Sequence, residues 1–306
     1  MQTVTLGNSP LRASRLAYGC WRLGAAPERR ADDRRAVAAA FEAGYTLFDH
    51  ADIYGRGEAE KIFGEVLREF PDMRGQVVIV TKAGVRRADD PPGSPYHYNL
   101  SGEHLVRSCE GSLQRLGVEA VDLFLLHRAD WLADPAEVAE AFARLKQSGK
   151  ARFFGVSNCR PSLVSALQAA CPMPLVAHQV EISLGQRAAF EDGTLDQCLA
   201  AKLTPMAWSP LGGGQFADGA RRLLKYQEGY RTEGVLPLLD ELATSRGVTR
   251  AAMALAWLLK HPSGIQPIVG STHPQNVRDA ARAPEIDLSR EEWYRLLTAA
   301  QGGPLP

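Results

Sequence analysis

Short, nearly continuous apolar runs alternate along this chain with longer stretches whose apolar residues recur every three to four positions. Runs at 15–19, 45–48, 77–82, 121–126, 151–156, 176–180, 204–208 and 266–270 are rich in β-branched and aromatic residues and too short for helices, so they read as buried strands. The stretches 31–43, 58–70, 101–116, 134–148, 161–170 and 194–202 carry helical spacing; on 58–70, Ile62, Phe63, Val66 and Leu67 fall on one face. End signals agree: Ser101 caps one helix and Gly117 stops it, Asp134 precedes Pro135, and Gly44 and Pro71 close two others. Helices over 234–246 and 249–260 precede the last strand, and helices from Pro274 and over 291–300 follow it. Residues 4–7 and the run after Leu11 predict a hairpin across Asn8-Ser9-Pro10. The stretch 83–99 is rich in Pro and Gly and reads as a loop; residues from 209 to about 232 read as a loop or local helix.

Strands that are apolar throughout imply a parallel sheet covered on both faces. Eight strand–helix units in 306 residues favour a closed (β/α)8 TIM barrel, with an N-terminal β-hairpin and extra helices near the C-terminus, in one domain spanning 1–306. Lys plus Arg equals Asp plus Glu at 35 each, which gives no reason to expect nucleic acid or an anionic membrane as partner. Five scattered cysteines without a Cys-x-x-Cys predict reduced thiols and no metal site. With no signal-like N-terminal segment and no apolar run of membrane length, the expected compartment is the cytoplasm.

Polar residues then gather at predicted strand ends. Asp49 and Tyr54 follow the second strand, Lys82 ends the third and His127 follows the fourth, so a barrel puts all four on one rim. A tyrosine starts near pKa ~10, and a neighbouring ammonium is expected to pull it down towards a usable proton donor. Asp49 would hold Lys82 charged, and His127 would hydrogen-bond a substrate oxygen beside the tyrosine. Such a site protonates a carbonyl oxygen as charge develops there. A hydride has no source among side chains, so a nicotinamide must supply it. Ser157, Asn158 and Gln179 suit a carboxamide, Trp208 offers a flat stacking surface, and backbone amides near Leu211–Gly214 and at Gly270-Ser271 suit phosphates. No Gly-x-Gly-x-x-Gly follows a strand, which excludes a Rossmann reading.

At this point the chain resembles the aldo-keto reductase family over nearly its whole length. The resemblance rests on Phe48-Asp49-His50-Ala51-Asp52-Ile53-Tyr54-Gly55, with histidine where threonine is commoner, on Val80-Thr81-Lys82, Leu125-Leu126-His127, Gly155-Val156-Ser157-Asn158, Gln179, and Trp208-Ser209-Pro210-Leu211-Gly212. His50-Ala51-Asp52-Ile53-Tyr54 with Ala207-Trp208-Ser209 and Leu211-Gly212-Gly213-Gly214 is similar, more narrowly, to bacterial oxidoreductases of the YdhF type. The resemblance implies reduction of an aldehyde or ketone by NADPH, with NADH possible. Tyr54 would be the proton donor, Lys82 and Asp49 would tune it, and His127 would orient a small-molecule carbonyl substrate. It implies cofactor contacts from Gly19, Cys20, Trp21, Ser157, Asn158, Gln179, Trp208, Ser209, Leu211, Gly212, Gly213, Gly270, Ser271, Thr272 and Asn276. Asn276 stands where the family has an arginine for the 2′-phosphate of NADPH, so either His273 or Arg278 compensates or the preference for NADPH is weaker. A monomer is the family-level expectation. Trp21, Trp131 and the 83–99 loop are expected to line the substrate pocket. Two rival readings are a nucleotide-binding, redox-sensing subunit with little turnover and an aldolase using Lys82 as a Schiff base.

Overall fold

The structure is a computed structural model that describes residues 1–218 and 223–305. Strands β1 (Thr3–Thr5) and β2 (Arg12–Ser14) form an antiparallel hairpin. There follow β3 (Ala17–Gly19), α1 (Arg30–Glu42), β4 (Leu47–Asp49), α2 (Glu58–Glu69) and β5 (Val78–Ala83). Next come β6 (Val85–Arg86), β7 (His97–Tyr98), α3 (Gly102–Leu116), β8 (Val121–Leu126), α4 (Pro135–Gln147) and β9 (Ala151–Ser157). After these are α5 (Pro161–Ala170), β10 (Leu175–Glu181), α6 (Thr194–Ala201) and β11 (Thr204–Trp208). The chain ends with α7 (Val235–Ser245), α8 (Arg250–Leu259), β12 (Gln266–Val269), α9 (Pro274–Ala280) and α10 (Arg290–Gln301). Eight strands pair in parallel in the order β3-β4-β5-β8-β9-β10-β11-β12, and β12 returns to β3 to close the barrel.

The capping residues act as their types predict. Ser101 accepts from the His104 amide and Gly117 ends α3 at φ 68°, while Thr249 accepts from the Ala252 amide at the start of α8. The expected hairpin and the extra helices are present. Trp257 and Trp293 stack at 5.1 Å and exchange indole N–H···O=C bonds of 3.1 and 2.9 Å, which fixes α10 against α8. The stretch 83–99 is more ordered than its composition predicts, because β6 and β7 pair within it. Two-residue strands are too short to leave a period. Of the 209–232 stretch, residues 219–222 lie outside the described residues; the rest contains 3-10 turns at Gly212–Gly214 and Lys225–Gly229.

The hairpin closes one end of the barrel. Leu6 and Ala13 join Ala17, Leu47, Val80, Leu123 and Met206 in the apolar barrel interior. The Ser14 amide donates to Thr46 Oγ1 at 2.8 Å, the Gly7 amide to Thr204 Oγ1 at 2.7 Å, and Gln266 Nε2 to the Ser14 carbonyl at 2.7 Å. Gly7 has φ +51°, and a Cβ there would stand 2.2 Å from the Val176 carbonyl oxygen, so the floor fits around a glycine. The opposite end, at the strand C-termini, is left for the site. Among the described residues no helix is long and apolar enough to cross a membrane.

Candidate active site

Strand alternation aims the site. Inward-facing residues recur every second position, and each inner row ends in a functional side chain at the C-terminal rim. Leu47 leads to Asp49, Val80 to Lys82, Leu125 to His127, Ala177 to Gln179 and Met206 to Trp208. Tyr54 opens a 3-10 turn, Tyr54–Gly57, whose Gly55, Arg56 and Gly57 have φ of 55°, 57° and 88°. That left-handed bend folds the segment back over the barrel mouth. Gly57 is required there, since a Cβ would lie 2.6 Å from Arg115 Cδ.

The four rim residues meet around the Lys82 ammonium. Its Nζ donates to Asp49 Oδ1 at 2.9 Å and Oδ2 at 2.8 Å, to the His50 carbonyl at 2.6 Å, and to Tyr54 Oη at 3.1 Å. Burial alone would lower the Lys82 pKa, but the Asp49 carboxylate and the Tyr54 phenol outweigh it and raise it. A lysine so held stays charged, which disfavours the Schiff-base reading, because an imine needs the free amine. The expected lowering of Tyr54 is corrected: burial pushes the phenol above its usual value, and the opposing pull of Lys82 does not overcome it. The phenol is therefore protonated at neutral pH and available as a donor. His127 packs edge-on to the Tyr54 ring at 5.8 Å. Burial, then the charges of Lys82 and Arg128, hold its pKa well below the usual histidine value, so the ring is neutral. Its Nδ1 has no hydrogen-bond partner among the described residues.

A cleft of about 380 Å³ follows the rim from β4 round to β12 and α9. Tyr54, His127, Trp21 and Tyr96 line one part; Ser157, Asn158, Gln179 and Trp208 line the next; Gly270, Ser271, Asn276 and Asp279 line the last. Gly19, Ser209, Leu211 and Gly213 also face it. Gln179 Nε2 donates to Asp49 Oδ1 at 2.8 Å, and its Oε1 is the acceptor of the side chain. Ser157 Oγ accepts from Asn158 Nδ2 at 2.7 Å, which leaves its own O–H free to donate. Asn158, at φ +54°, takes the Trp208 indole N–H on Oδ1 at 2.9 Å and so fixes the indole plane. An acceptor and a donor presented beside a flat indole fit the carboxamide and ring of a nicotinamide.

Other predicted residues fall elsewhere. Cys20 shares the outward parity of Tyr18; its Sγ is fully buried 3.5 Å from His50 Nε2, and the residue does not line the cleft. Trp131 is 90 % exposed and Gly212 and Thr272 do not line the cleft. The amides of Gly212 and Gly214 are donated to the carbonyls of Ser209 and Leu211, so this turn offers fewer free N–H groups than its glycines predict. Of the two residues expected to compensate for Asn276, His273 does not line the cleft, and Arg278 bonds Gln275 on the exposed side of α9. A different arginine does approach: Arg29 donates to Thr272 Oγ1 at 3.0 Å across 243 residues of chain. Arg29 and the cleft-lining Arg22 and Arg128 were missed from sequence, although Arg128 directly follows His127.

A strap crosses the rim beside the cleft. Glu181, at the end of β10, accepts from Tyr226 Oη at 2.6 Å, Gln227 Nε2 at 2.7 Å and Tyr230 Oη at 2.9 Å, and Leu224 of the same segment lines the cleft. Among the described residues no group of His, Cys, Asp and Glu is placed to hold a metal ion.

Comparison with known proteins agrees with this geometry. A model of the Aldo/keto reductase family matches residues 15–300. The chain is 38 % identical to 6-dehydroglucose reductase of Novosphingobium aromaticivorans, over 98 % of this chain and 96 % of that one. It is 37 % identical to oxidoreductase YdhF of Escherichia coli, over the full length of both. The crystal structure of a thermostable aldo-keto reductase, Tm1743, in complex with the inhibitor epalrestat superposes with a TM-score of 0.83 at 27 % identity, covering 98 % of this chain and all of that one. The chain belongs to the aldo/keto reductase family and is an NAD(P)H-dependent oxidoreductase.

Proposed function

We propose that this protein reduces an aldehyde or ketone to the alcohol, with Tyr54 as proton donor and NADPH as the preferred reductant. The observation that carries the reading is the Lys82 ammonium clasped by Asp49 and touching Tyr54 Oη at 3.1 Å, beside a neutral His127 at the cleft wall. The name of the Novosphingobium relative, 6-dehydroglucose reductase, supports the direction of reaction.

The carbonyl oxygen sits between Tyr54 Oη and His127, which donate hydrogen bonds to it. A reduced nicotinamide held beside Ser157, Gln179 and Trp208 would supply a hydride for the carbonyl carbon. As negative charge grows on the oxygen, the Tyr54 proton moves to it, and the phenolate left behind is stabilised by the Lys82 ammonium. General-acid help of this kind contributes about 10²–10⁴-fold. Asp49 keeps Lys82 charged and in register, and Gln179 holds Asp49 from the other side. Ser157, Gln179 and Trp208 would orient the nicotinamide end.

NADPH is the better candidate because Arg29, bonded to Thr272, brings a guanidinium near the segment where Asn276 leaves the family position uncharged. Asp279 in the same part of the cleft works against a phosphate, so the preference is smaller than a dedicated arginine would give. Titrating the protein with NADPH and NADH while following Trp208 fluorescence tests this. The expected result is saturable quenching with both, tighter for NADPH, and oxidation of NADPH when an aldehyde is added. Tight binding without carbonyl turnover would contradict the reading and favour a nucleotide-binding subunit.

A further inference from the structure

Arg128 has no assignment in the mechanism above, yet it lines the cleft one residue from His127. Its guanidinium lies over the Trp208 ring, 5.6 Å from the centroid. Among the described residues it forms no ion pair and no hydrogen bond, in contrast to Arg115, Arg152, Arg246 and Arg250, which each hold a carboxylate. The acids that line the cleft, and Glu181 under the strap, are engaged elsewhere. Asp49 holds Lys82, Asp279 takes the Gln275 amide at 2.7 Å, Asp218 lies 3.7 Å from Arg250, and Glu181 accepts from Tyr226, Gln227 and Tyr230. Its charge acts directly on the reacting groups, opposing a proton on His127 and favouring release of one from Tyr54.

A half-buried guanidinium has lost part of its hydration and presents a planar fork of N–H donors. A stacked indole replaces little of that hydration, whereas a carboxylate or phosphate matches the fork with two charge-assisted bonds. Trp21, Tyr96 and Val85 complete an apolar wall on this side of the cleft. We propose that Arg128 determines substrate specificity and that the substrate is a carbonyl compound carrying an oxyanion, a carboxylate or phosphate, which Arg128 holds while the carbonyl lies between Tyr54 and His127. This rests on the reductase reading for the identity of the reacting group.

The test compares 4-carboxybenzaldehyde with benzaldehyde, and succinic semialdehyde with butanal, in wild type, Arg128→Gln and Arg128→Lys. Wild type should favour the charged member of each pair in kcat/KM by about tenfold or more, less at high salt. Arg128→Gln should erase that ratio through KM, Arg128→Lys should keep part of it, and the NADPH dissociation constant should stay within about twofold. No preference in wild type, or an unchanged ratio in Arg128→Gln, would overturn the proposal. So would a parallel loss of NADPH affinity, which would assign the guanidinium to a cofactor phosphate. If no aldehyde is reduced at all, the reductase reading fails instead. Calorimetric binding of 4-carboxybenzyl alcohol against benzyl alcohol, in wild type and Arg128→Gln, then decides for Arg128 by the same criterion.

Discussion

Two buried ionic clusters stand back to back on β5, and they differ in one respect. Inward, Lys82 holds Asp49 and reaches Tyr54, whose phenol faces the cleft. Outward, Glu60 accepts from Thr81 Oγ1 at 2.6 Å and from Arg115 Nε at 2.6 Å, and Arg115 also reaches Ser112 Oγ at 3.1 Å. Both clusters pair charges deep in the fold. The outer one closes on itself between β5, α2 and α3. The inner one ends on an ionisable hydroxyl at a cavity. Burial of charge alone therefore does not mark chemistry; a buried charge coupled to a group that a ligand can touch does.

Removing one cation from each cluster separates them most strongly. Lys82→Met should cut turnover by roughly a thousandfold or more, because Tyr54 loses the charge that stabilises its phenolate. Arg115→Ala should leave turnover per folded molecule within about twofold while costing about 3–5 kcal/mol in chemical denaturation, since Glu60 is left buried without its partner. Equal catalytic losses in both variants would erase the distinction.

A smaller effect sharpens the boundary between the clusters. Asp52 lies between them, with Oδ1 unpartnered, and burial, then Glu60, push its carboxyl up to about 7. In the unfolded chain an aspartate titrates near ~3.9. The folded state thus binds this proton more tightly. The group's contribution to stability is fully present below about pH 4, declines as the pH rises towards 7, and is lost above it, on the order of 4 kcal/mol in all. Asp52→Asn, which mimics the protonated acid, should flatten the fall in unfolding free energy between about pH 4 and 7. An unchanged slope in that variant would show that Asp52 is not the titrating group.

The barrel was legible because its strands are apolar throughout and its helices carry their own stops, as at Ser101 and Gly117. The rim was legible because Asp49, Lys82 and His127 each end an apolar run. Side-chain parity, also in the sequence, would have placed Cys20 outward with Tyr18. What could not be read depends on contacts between distant segments. Arg29 finds Thr272 across the barrel seam, and Tyr226 and Tyr230 converge on Glu181 from a stretch without period. The direction of the Tyr54 shift was missed for a related reason: the ammonium can be named from sequence, but the burial that outweighs it cannot.

The central claim is that Tyr54 delivers the proton from the inner cluster. Tyr54→Phe keeps the ring and removes the hydroxyl, so its aldehyde turnover, measured beside its NADPH dissociation constant, tests that claim most directly. Turnover should fall by about 10²–10⁴-fold with cofactor affinity within about twofold of wild type. Turnover that stays within a few-fold of wild type, or that falls only in proportion to lost NADPH binding, would contradict it.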